Sequence, residues 1–142
     1  MDLTPALGPR PPASETGESG LTLDEVRQVL DAETIWCPEP SVRAEWVVAA
    51  DLMSDVLICQ APGRLLLTSL VNQQAIRTAA IMDFAGVVFV RGKSPRADVV
   101  ELAQEKRVPV FVTALPTFEA AGVLYAALRA RTGTRDGTSC DG

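Results

Sequence analysis

Apolar runs of strand length alternate with longer amphipathic segments over residues 65–128. The runs are nearly continuous, which is typical of strands that are covered on both faces. The predicted strands are 65–68, 86–90 and 109–113. The segments between them carry apolar residues at three- and four-residue spacing, which predicts helices. The predicted helices are 73–83, a segment that begins at Pro95, and 117–131. Short connections between alternating strands and helices imply right-handed crossovers, and so a mostly parallel sheet with helices on its faces.

The residues before this region add one helix and two shorter strands. Thr22 and Glu25 have the Thr-x-x-Glu spacing of a capping box, which predicts a first helix over 23–31. Two β-prone runs, at 34–37 and 46–49, predict strands. The sequence therefore predicts a single α/β domain.

Asp51 stands directly before a further apolar-periodic segment, 52–57. We interpret Asp51 as the N-cap of this helix and Asp55 as a first-turn acid that the helix dipole favours. The alternative is a magnesium site, since magnesium binds through one or two carboxylates with phosphate and water completing its shell. The structural interpretation is favoured, so we expect no metal.

Composition changes at both ends of this pattern. Residues 1–20 are rich in proline, glycine and serine and have almost nothing apolar to bury, so we expect a disordered amino-terminal segment. Residues 21–132 form the predicted domain, and 133–142 are expected to be a flexible tail. A chain of 142 residues with 47% hydrophobic and 22% charged residues fits one domain of this kind.

Charge and cysteine content narrow the classes of function. A net charge of −5 and an isoelectric point near 4.7, with no basic cluster, argue against nucleic acid as a partner. The apolar runs are of strand length, so no membrane segment is expected, and we predict a cytoplasmic protein. Three distant cysteines without any histidine do not suit a zinc or iron–sulfur site. We expect no cofactor.

Each predicted strand ends in a short turn of polar or basic residues. Carboxyl ends of parallel strands meet at one edge of a sheet, and ligands of open parallel sheets bind there, so these turns form the candidate site. The candidate ligand-binding residues are Thr68, Ser69, Asn72, Arg91, Gly92, Lys93, Ser94, Thr113 and Thr117.

The most suggestive of these turns is 91–95, Arg-Gly-Lys-Ser-Pro. Gly92 permits close approach of the backbone, the following helix offers free N–H groups, and Arg91 and Lys93 add positive charge. Such a turn suits a phosphate or a carboxylate. A solvated turn whose charges keep the surface soluble is an equally weighted alternative. The P-loop pattern Gly-x-x-x-x-Gly-Lys-Ser/Thr is absent.

Catalysis has little support in the sequence. The chain has no histidine to activate a serine or cysteine nucleophile. Glu119 could act as a base only beside a substrate pocket, and a solvated first-turn acid is the favoured interpretation. We expect that the protein is not an enzyme, and a weak phosphate-handling activity is the least favoured alternative.

Four segments of the chain resemble the DRTGG domain family. These segments are 49–57, 65–68, 88–95 and 109–113, and the resemblance extends over about residues 22–130. It is closest to the small stand-alone members, which are associated with anaerobic redox metabolism and iron hydrogenase genes. The resemblance implies a fold similar to the amino-terminal domain of HPr kinase and a regulatory, non-catalytic role.

Two turns depart from the pattern that names the family. Thr68-Ser69-Leu70 replaces a Gly-Asp-Arg turn, and Arg91-Gly92-Lys93 replaces a Thr-Gly-Gly turn, so that Gly92 alone is retained. Some relatives with CBS domains respond to adenine nucleotides. Two hypotheses follow from the residues and the resemblance. The first is a sensor of a small anion or an adenine nucleotide, and the second is a module that docks on a protein partner in redox or energy metabolism, or on itself as a homo-oligomer. We favour a regulatory module that can combine the two, and a purely protein-interacting domain without a ligand is the alternative.

Overall fold

Seven strands lie within the residues that the computed structural model describes, 20–57 and 63–132. They are β1 (Leu21–Thr22), β2 (Glu33–Trp36), β3 (Arg43–Ala44), β4 (Trp46–Ala49), β5 (Arg64–Thr68), β6 (Gly86–Phe89) and β7 (Val110–Val112). Five of them form one sheet in the order β2-β7-β6-β5-β4, and β1 pairs with β3 in a separate antiparallel ribbon. The expectations for the amino-terminal segment and the tail fall on residues outside the described ranges, apart from Gly20.

Five helices occupy the same ranges. They are α1 (Leu23–Leu30), α2 (Met53–Val56), α3 (Gln73–Ile81), α4 (Ala97–Lys106) and α5 (Thr117–Thr132). All five coincide with predicted helices, although α4 begins at Ala97 rather than at Pro95. The helix over Leu23–Leu30 ends one residue earlier than predicted, at a left-handed Asp31 with φ 50°.

The sheet is parallel from β4 to β7. Val48, Leu66, Val87 and Val110 lie side by side across these four strands, and all four are buried. β2 pairs with β7 in the antiparallel direction and forms one edge. The mostly parallel sheet with helices on both faces confirms the predicted fold class.

A separate hydrophobic core lies on each face of the sheet. Because β4 to β7 follow one another in chain order, their right-handed crossovers place α2, α3 and α4 on the same face. The other face is covered by α1 and α5. Within β5, Leu66 points into the first core, whereas Leu65 and Leu67 point into the second. Burial on both faces explains why the strands appear in the sequence as continuous apolar runs.

The start of α1 has the predicted capping box. The Thr22 hydroxyl accepts a hydrogen bond from the Glu25 N–H at 3.1 Å, and the Glu25 carboxylate accepts one from the Thr22 N–H at 2.9 Å. Reciprocal bonds of this kind satisfy two amides that the first turn of a helix would otherwise leave without a partner.

Arg131 ties the end of α5 to the start of α1. Its side chain is 1% exposed, and its Nη2 lies 2.7 Å from Glu25 Oε2. Its Nη1 donates to the Gly20 carbonyl at 2.9 Å. Burial raises the pKa of Glu25, but hydrogen bonds from Thr22 and Arg131 together outweigh that effect and hold the pKa below its usual value. A cation in the last turn of a helix, where the dipole favours it, is here also half of a buried ion pair.

Candidate functional site

The carboxyl ends of β4, β5, β6 and β7 meet at one edge of the sheet, as their parallel alignment requires. Asp51 lies just beyond β4, Ser69 beyond β5, Arg91 beyond β6 and Thr113 beyond β7. The structure therefore brings the predicted turns together at one end of the domain.

Asp51 joins the first two of these turns. Its Oδ1 accepts hydrogen bonds from the Thr68 hydroxyl at 3.0 Å and from the Ser69 N–H at 2.8 Å. The N-cap position of α2 falls on Leu52, because the helix begins at Met53. The prediction that Asp51 caps this helix is therefore wrong, and its carboxylate instead holds the turn that follows β5.

Thr68 and Thr113 lie beneath the edge. Their exposed fractions are 0% and 1%. Besides its bond to the aspartate, the Thr68 hydroxyl accepts from the Leu70 N–H at 3.0 Å. The Thr113 hydroxyl donates to the Leu30 carbonyl at 2.8 Å and accepts from the Leu115 N–H at 3.3 Å. Both hydroxyls are thus used within the chain, and these threonines shape the turns; their contact with a ligand stays a prediction.

The turn after β6 passes through two consecutive left-handed residues. Arg91 has φ 64° and Gly92 has φ 69°. The Arg91 N–H donates to the Leu115 carbonyl and the Gly92 N–H to the Thr113 carbonyl, each at 2.8 Å. A Cβ at Gly92 would meet no atom within 4 Å. The glycine therefore serves the backbone conformation, and the Arg91 and Gly92 amides are both used within the chain, so that a ligand at this turn would meet its side chains.

The side chains of this turn, unlike its amides, face solvent. Arg91, Lys93 and Ser94 are all exposed. The Lys93 Nζ lies 3.5 Å from the Ser69 carbonyl, so the lysine reaches back to the neighbouring turn. The Ser69 N–H, and to a smaller extent the Arg91 guanidinium, holds the pKa of Asp51 below its usual value. The turn thus places two cations above the ends of β5 and β6.

A groove of about 310 Å³ opens at the same edge of the domain, between the first turns of α3 and α4. It is lined by Val71, Asn72, Gln73, Gln74, Arg96, Asp98 and Val99. Asn72 is the N-cap of α3, since its Oδ1 accepts from the Ala75 N–H at 3.1 Å. That bond leaves the side-chain NH₂ group of Asn72 as a donor at the groove.

Arg96 supplies the positive charge of the groove. It occupies the N-cap position of α4, and its side chain is 87% exposed, with Nε 3.7 Å from Asp98 Oδ1. Gln73 crosses from the other wall and donates to the Asp98 carbonyl at 3.5 Å. Two helix N-termini and one guanidinium therefore converge on this space, an arrangement that favours an anion.

Sequence reasoning missed Arg96. The predicted helix begins at Pro95, so that Arg96 would lie inside its first turn as an ordinary solvated cation and not at the N-cap. The signal that could have located it is Asp98, an acid of the kind that is enriched in a first turn. Of the other predicted residues, Asn72 lines the groove, whereas Ser94 and Thr117 do not.

A second cavity, of about 490 Å³, lies at the opposite end of the domain, near the amino ends of β5, β6 and β7. Two arginines and three acids line it together with apolar residues; the charged residues are Arg43, Arg107, Glu39, Glu45 and Asp83. Since the acids outnumber the arginines, this cavity does not attract an anion as the groove does.

The fold and its polar edge define a class of protein: a three-layer α/β domain with a small groove where parallel strands end. The family model of the DRTGG domain matches residues 25–127. The chain belongs to the DRTGG domain family, which is a family of regulatory domains. No curated protein matches the chain.

The fold is similar to a solved structure of a regulatory region. That crystal structure contains the CBS and DRTGG domains of Clostridium perfringens pyrophosphatase, complexed with the activator diadenosine tetraphosphate. The TM-score is 0.63 and the sequence identity 17%, over 75% of this chain and 47% of that chain. The match therefore spans about half the length of that crystallised regulatory region, and the likeness concerns the fold.

Over 20–57 and 63–132, no group of three or more aspartate, glutamate, cysteine or histidine side chains is arranged to hold a metal ion. None of the helices in those ranges has the length and apolar character needed to span a bilayer.

Proposed function

We propose that this DRTGG domain is a regulatory module that senses a small phosphate-bearing ligand, an adenine nucleotide being the leading candidate, in the groove between α3 and α4. The observation that carries the proposal is the convergence of two helix N-termini and the Arg96 guanidinium on one groove. N-terminal amides and a guanidinium both bind phosphate oxygens well, since each combines positive charge with directed N–H donors.

The neighbouring turn extends this positive region. Arg91 and Lys93 stand above the ends of β5 and β6, and Lys93 already reaches the turn that opens α3. Two acids partly offset this positive charge. Asp51 accepts a hydrogen bond from the Ser69 amide, and Asp98 lies near Arg96. A bound phosphate would replace the long 3.7 Å contact between Arg96 and Asp98 with a shorter, charge-assisted hydrogen bond.

The size of the groove limits what it can hold. Its volume of about 310 Å³ is at the lower end of the roughly 300 to 1,000 Å³ that small-molecule sites occupy. A single phosphate-bearing group fits this space. The remainder of a larger nucleotide would lie along the edge, toward Lys93 and Arg91.

A non-catalytic role agrees with the chemistry of the edge. The chain has no histidine, the Asp51 carboxylate is fixed by two hydrogen bonds, and the two threonine hydroxyls are buried and paired. The family is regulatory, and the fold neighbour was solved as a regulatory region with a nucleotide activator. A cytoplasmic location and a partner in redox or energy metabolism are parts of this proposal that rest on the family resemblance and the composition.

Thermal unfolding of the full chain tests the ligand proposal. We expect a higher Tm with at least one member of a set that contains adenine nucleotides, nucleotide polyphosphates, acetyl phosphate and inorganic phosphate. A ligand at one hundred times its Kd adds roughly 2.7 kcal/mol of stability, which shifts Tm by several degrees in a domain of this size.

Variants locate the site. Arg96→Ala and Lys93→Ala should each reduce the shift while leaving the Tm of the free protein nearly unchanged, because both side chains are exposed. Lys106→Ala is the matched control, since Lys106 is an exposed cation in the last turn of the same helix. A shift that survives Arg96→Ala, or no shift with any of these anions, would contradict the proposal.

A further inference from the structure

The last helix, α5, is apolar on its outer side as well as its inner side. Its inner residues Ala120, Leu124 and Leu128 are buried in the core that it shares with α1. The exposed residues Phe118, Gly122, Tyr125 and Arg129 follow one another at spacings of four, three and four, so they form one line along the outer side. We refer to these four residues as the outer stripe of α5.

Two aromatic side chains of the outer stripe are exposed to an unusual extent. Phe118 is 88% exposed and Tyr125 is 51% exposed. A surface helix normally turns a polar side to water, and scattered apolar residues need no explanation, but two aromatics on one line of one helix indicate a contact surface. The Trp46 ring lies 5.9 Å from the Tyr125 ring in an edge-on arrangement, which extends the apolar surface to β4.

The outer stripe is complementary to itself, and we propose that it binds a second copy of this chain, with the two α5 helices antiparallel about a two-fold axis. An axis midway between Gly122 and Tyr125 places Gly122 opposite Tyr125 of the partner subunit. A Cβ added at Gly122 would meet no atom within 4 Å, so the glycine leaves a depression into which that ring fits. The same axis places Phe118 opposite Arg129 of the partner subunit.

Charge selects the antiparallel direction. Glu119 is exposed in the first turn of α5 and Arg129 is exposed in its last turn. Antiparallel helices bring Glu119 near Arg129 of the partner subunit, whereas parallel helices would bring like charges together. Helix dipoles are also opposed in the antiparallel pair. Arg129 already lies over the Tyr125 ring at 5.6 Å, so a guanidinium facing Phe118 of the partner subunit extends a contact that this helix makes internally.

The size of the stripe sets the strength to expect. A helix of 16 residues is about 24 Å long, and one helix pair buries less surface than the roughly 1,600 Å² of a standard stable interface. The dimer should therefore be weak and dependent on concentration. It is also independent of the proposed ligand, because α5 and the groove between α3 and α4 lie on opposite faces of the sheet.

The test is sedimentation equilibrium of the full chain at protein concentrations from about 1 to about 500 µM, a range that includes the dissociation constants expected of a weak interface. We expect the weight-average mass to rise toward twice the monomer. Phe118→Ala should raise the dissociation constant at least about tenfold, because it removes the most exposed aromatic anchor of the stripe without adding a charge opposite Arg129 of the partner subunit. Ile81→Ala is the matched control, because Ile81 is 74% exposed on α3 and lies outside the stripe. It should leave the dissociation constant unchanged.

Charge exchange tests the direction of the helices. Glu119→Lys and Arg129→Glu should each weaken the dimer, and the double variant should restore it, because the two-fold axis brings Glu119 to within one residue of the position opposite Arg129 of the partner subunit. A chain that stays monomeric throughout the series would overturn the proposal, and the stripe would then be a contact surface for residues 1–19 or for another protein. Equal effects of Phe118→Ala and Ile81→Ala, or a double variant weaker than both single variants, would also overturn it. Far-ultraviolet circular dichroism verifies that each variant is folded.

Discussion

At the scale of single residues, the strand-end turns contain the details that sequence reasoning recovers least well. The positive φ of Gly92, after β6, can be predicted from the sequence because glycine favours that conformation. The left-handed conformation of Arg91, the residue before it, cannot be predicted, because arginine gives no local signal for it. The sequence predicts an N-cap at Asp51 because this residue precedes an apolar-periodic segment. Its actual partners, Thr68 and Ser69, are 17 and 18 residues away, so that only the folded sheet brings them together.

The same substitution at two glycines should change stability in opposite directions. Gly92→Ala forces a Cβ into a left-handed conformation with φ 69°, which costs about 1 kcal/mol even though no neighbour obstructs it. Gly122→Ala lies within α5, also without obstruction, and should stabilise the domain by about 0.5 to 1 kcal/mol through helix propensity. Urea unfolding at low micromolar protein, where the proposed dimer is dissociated, measures both.

The comparison depends on backbone conformation alone, because neither methyl group meets another atom within 4 Å. A neutral Gly92→Ala would mean that the turn relaxes to a right-handed conformation. The bonds from Arg91 and Gly92 to the β7–α5 connection would then be lost in solution.

At the scale of elements, periodicity recovers nearly every helix and strand of the described residues. The boundaries shift by one or two residues, because capping bonds and local turns decide them, as at α4. The sequence does not predict the antiparallel direction of β2. A short β-prone run carries no record of its neighbour in the sheet, and β2 joins β7 from 74 to 79 residues away in the chain, as the pairs Trp36–Val110 and Glu33–Val112 show.

The ion pair between α1 and α5 should be visible as a pH-dependent contribution to stability. Glu25→Gln keeps an oxygen for the capping box but removes the charge that faces the buried Arg131, so we expect a loss of about 2 kcal/mol at pH 7. The pKa of Glu25 is lowered in the folded state, so its contribution is complete above its unfolded pKa of about 4.3 and is lost as pH falls through the folded value.

The measurement is urea unfolding of wild type and Glu25→Gln at a series of pH values between about 7 and 3, which spans that range. The two stabilities should converge at the acid end, where the glutamate is protonated and resembles glutamine. Glu101→Gln, at an exposed position on α4, removes the same charge as a control. A difference that stays constant across the series would show that the variant acts through packing and not through the ion pair.

At the scale of the whole molecule, one sheet separates two hydrophobic cores, and each core has its own helices. The regular succession of strands and helices was sufficient to predict this architecture, because four parallel strands in chain order leave little choice of topology. For the groove, the sequence predicted only the edge of the sheet at which it lies. Its walls are the first turns of two helices that lie side by side on one face of the sheet, and no property of either sequence segment predicts how closely they approach.

The shared sheet should make the two cores unfold as one unit. Leu66→Ala empties space in the core of α2, α3 and α4, and Leu67→Ala, one residue later on β5, does so in the core of α1 and α5. Both side chains are 0% exposed, so each variant should lose about 3 kcal/mol. In both variants, urea transitions followed by tryptophan fluorescence and by circular dichroism should coincide, with an unchanged m-value, since β5 belongs to both cores. Transitions that separate in one variant would show that a helical layer detaches while the sheet persists. In that case, ligand binding on one face and self-association on the other would rest on parts of the domain that are thermodynamically independent.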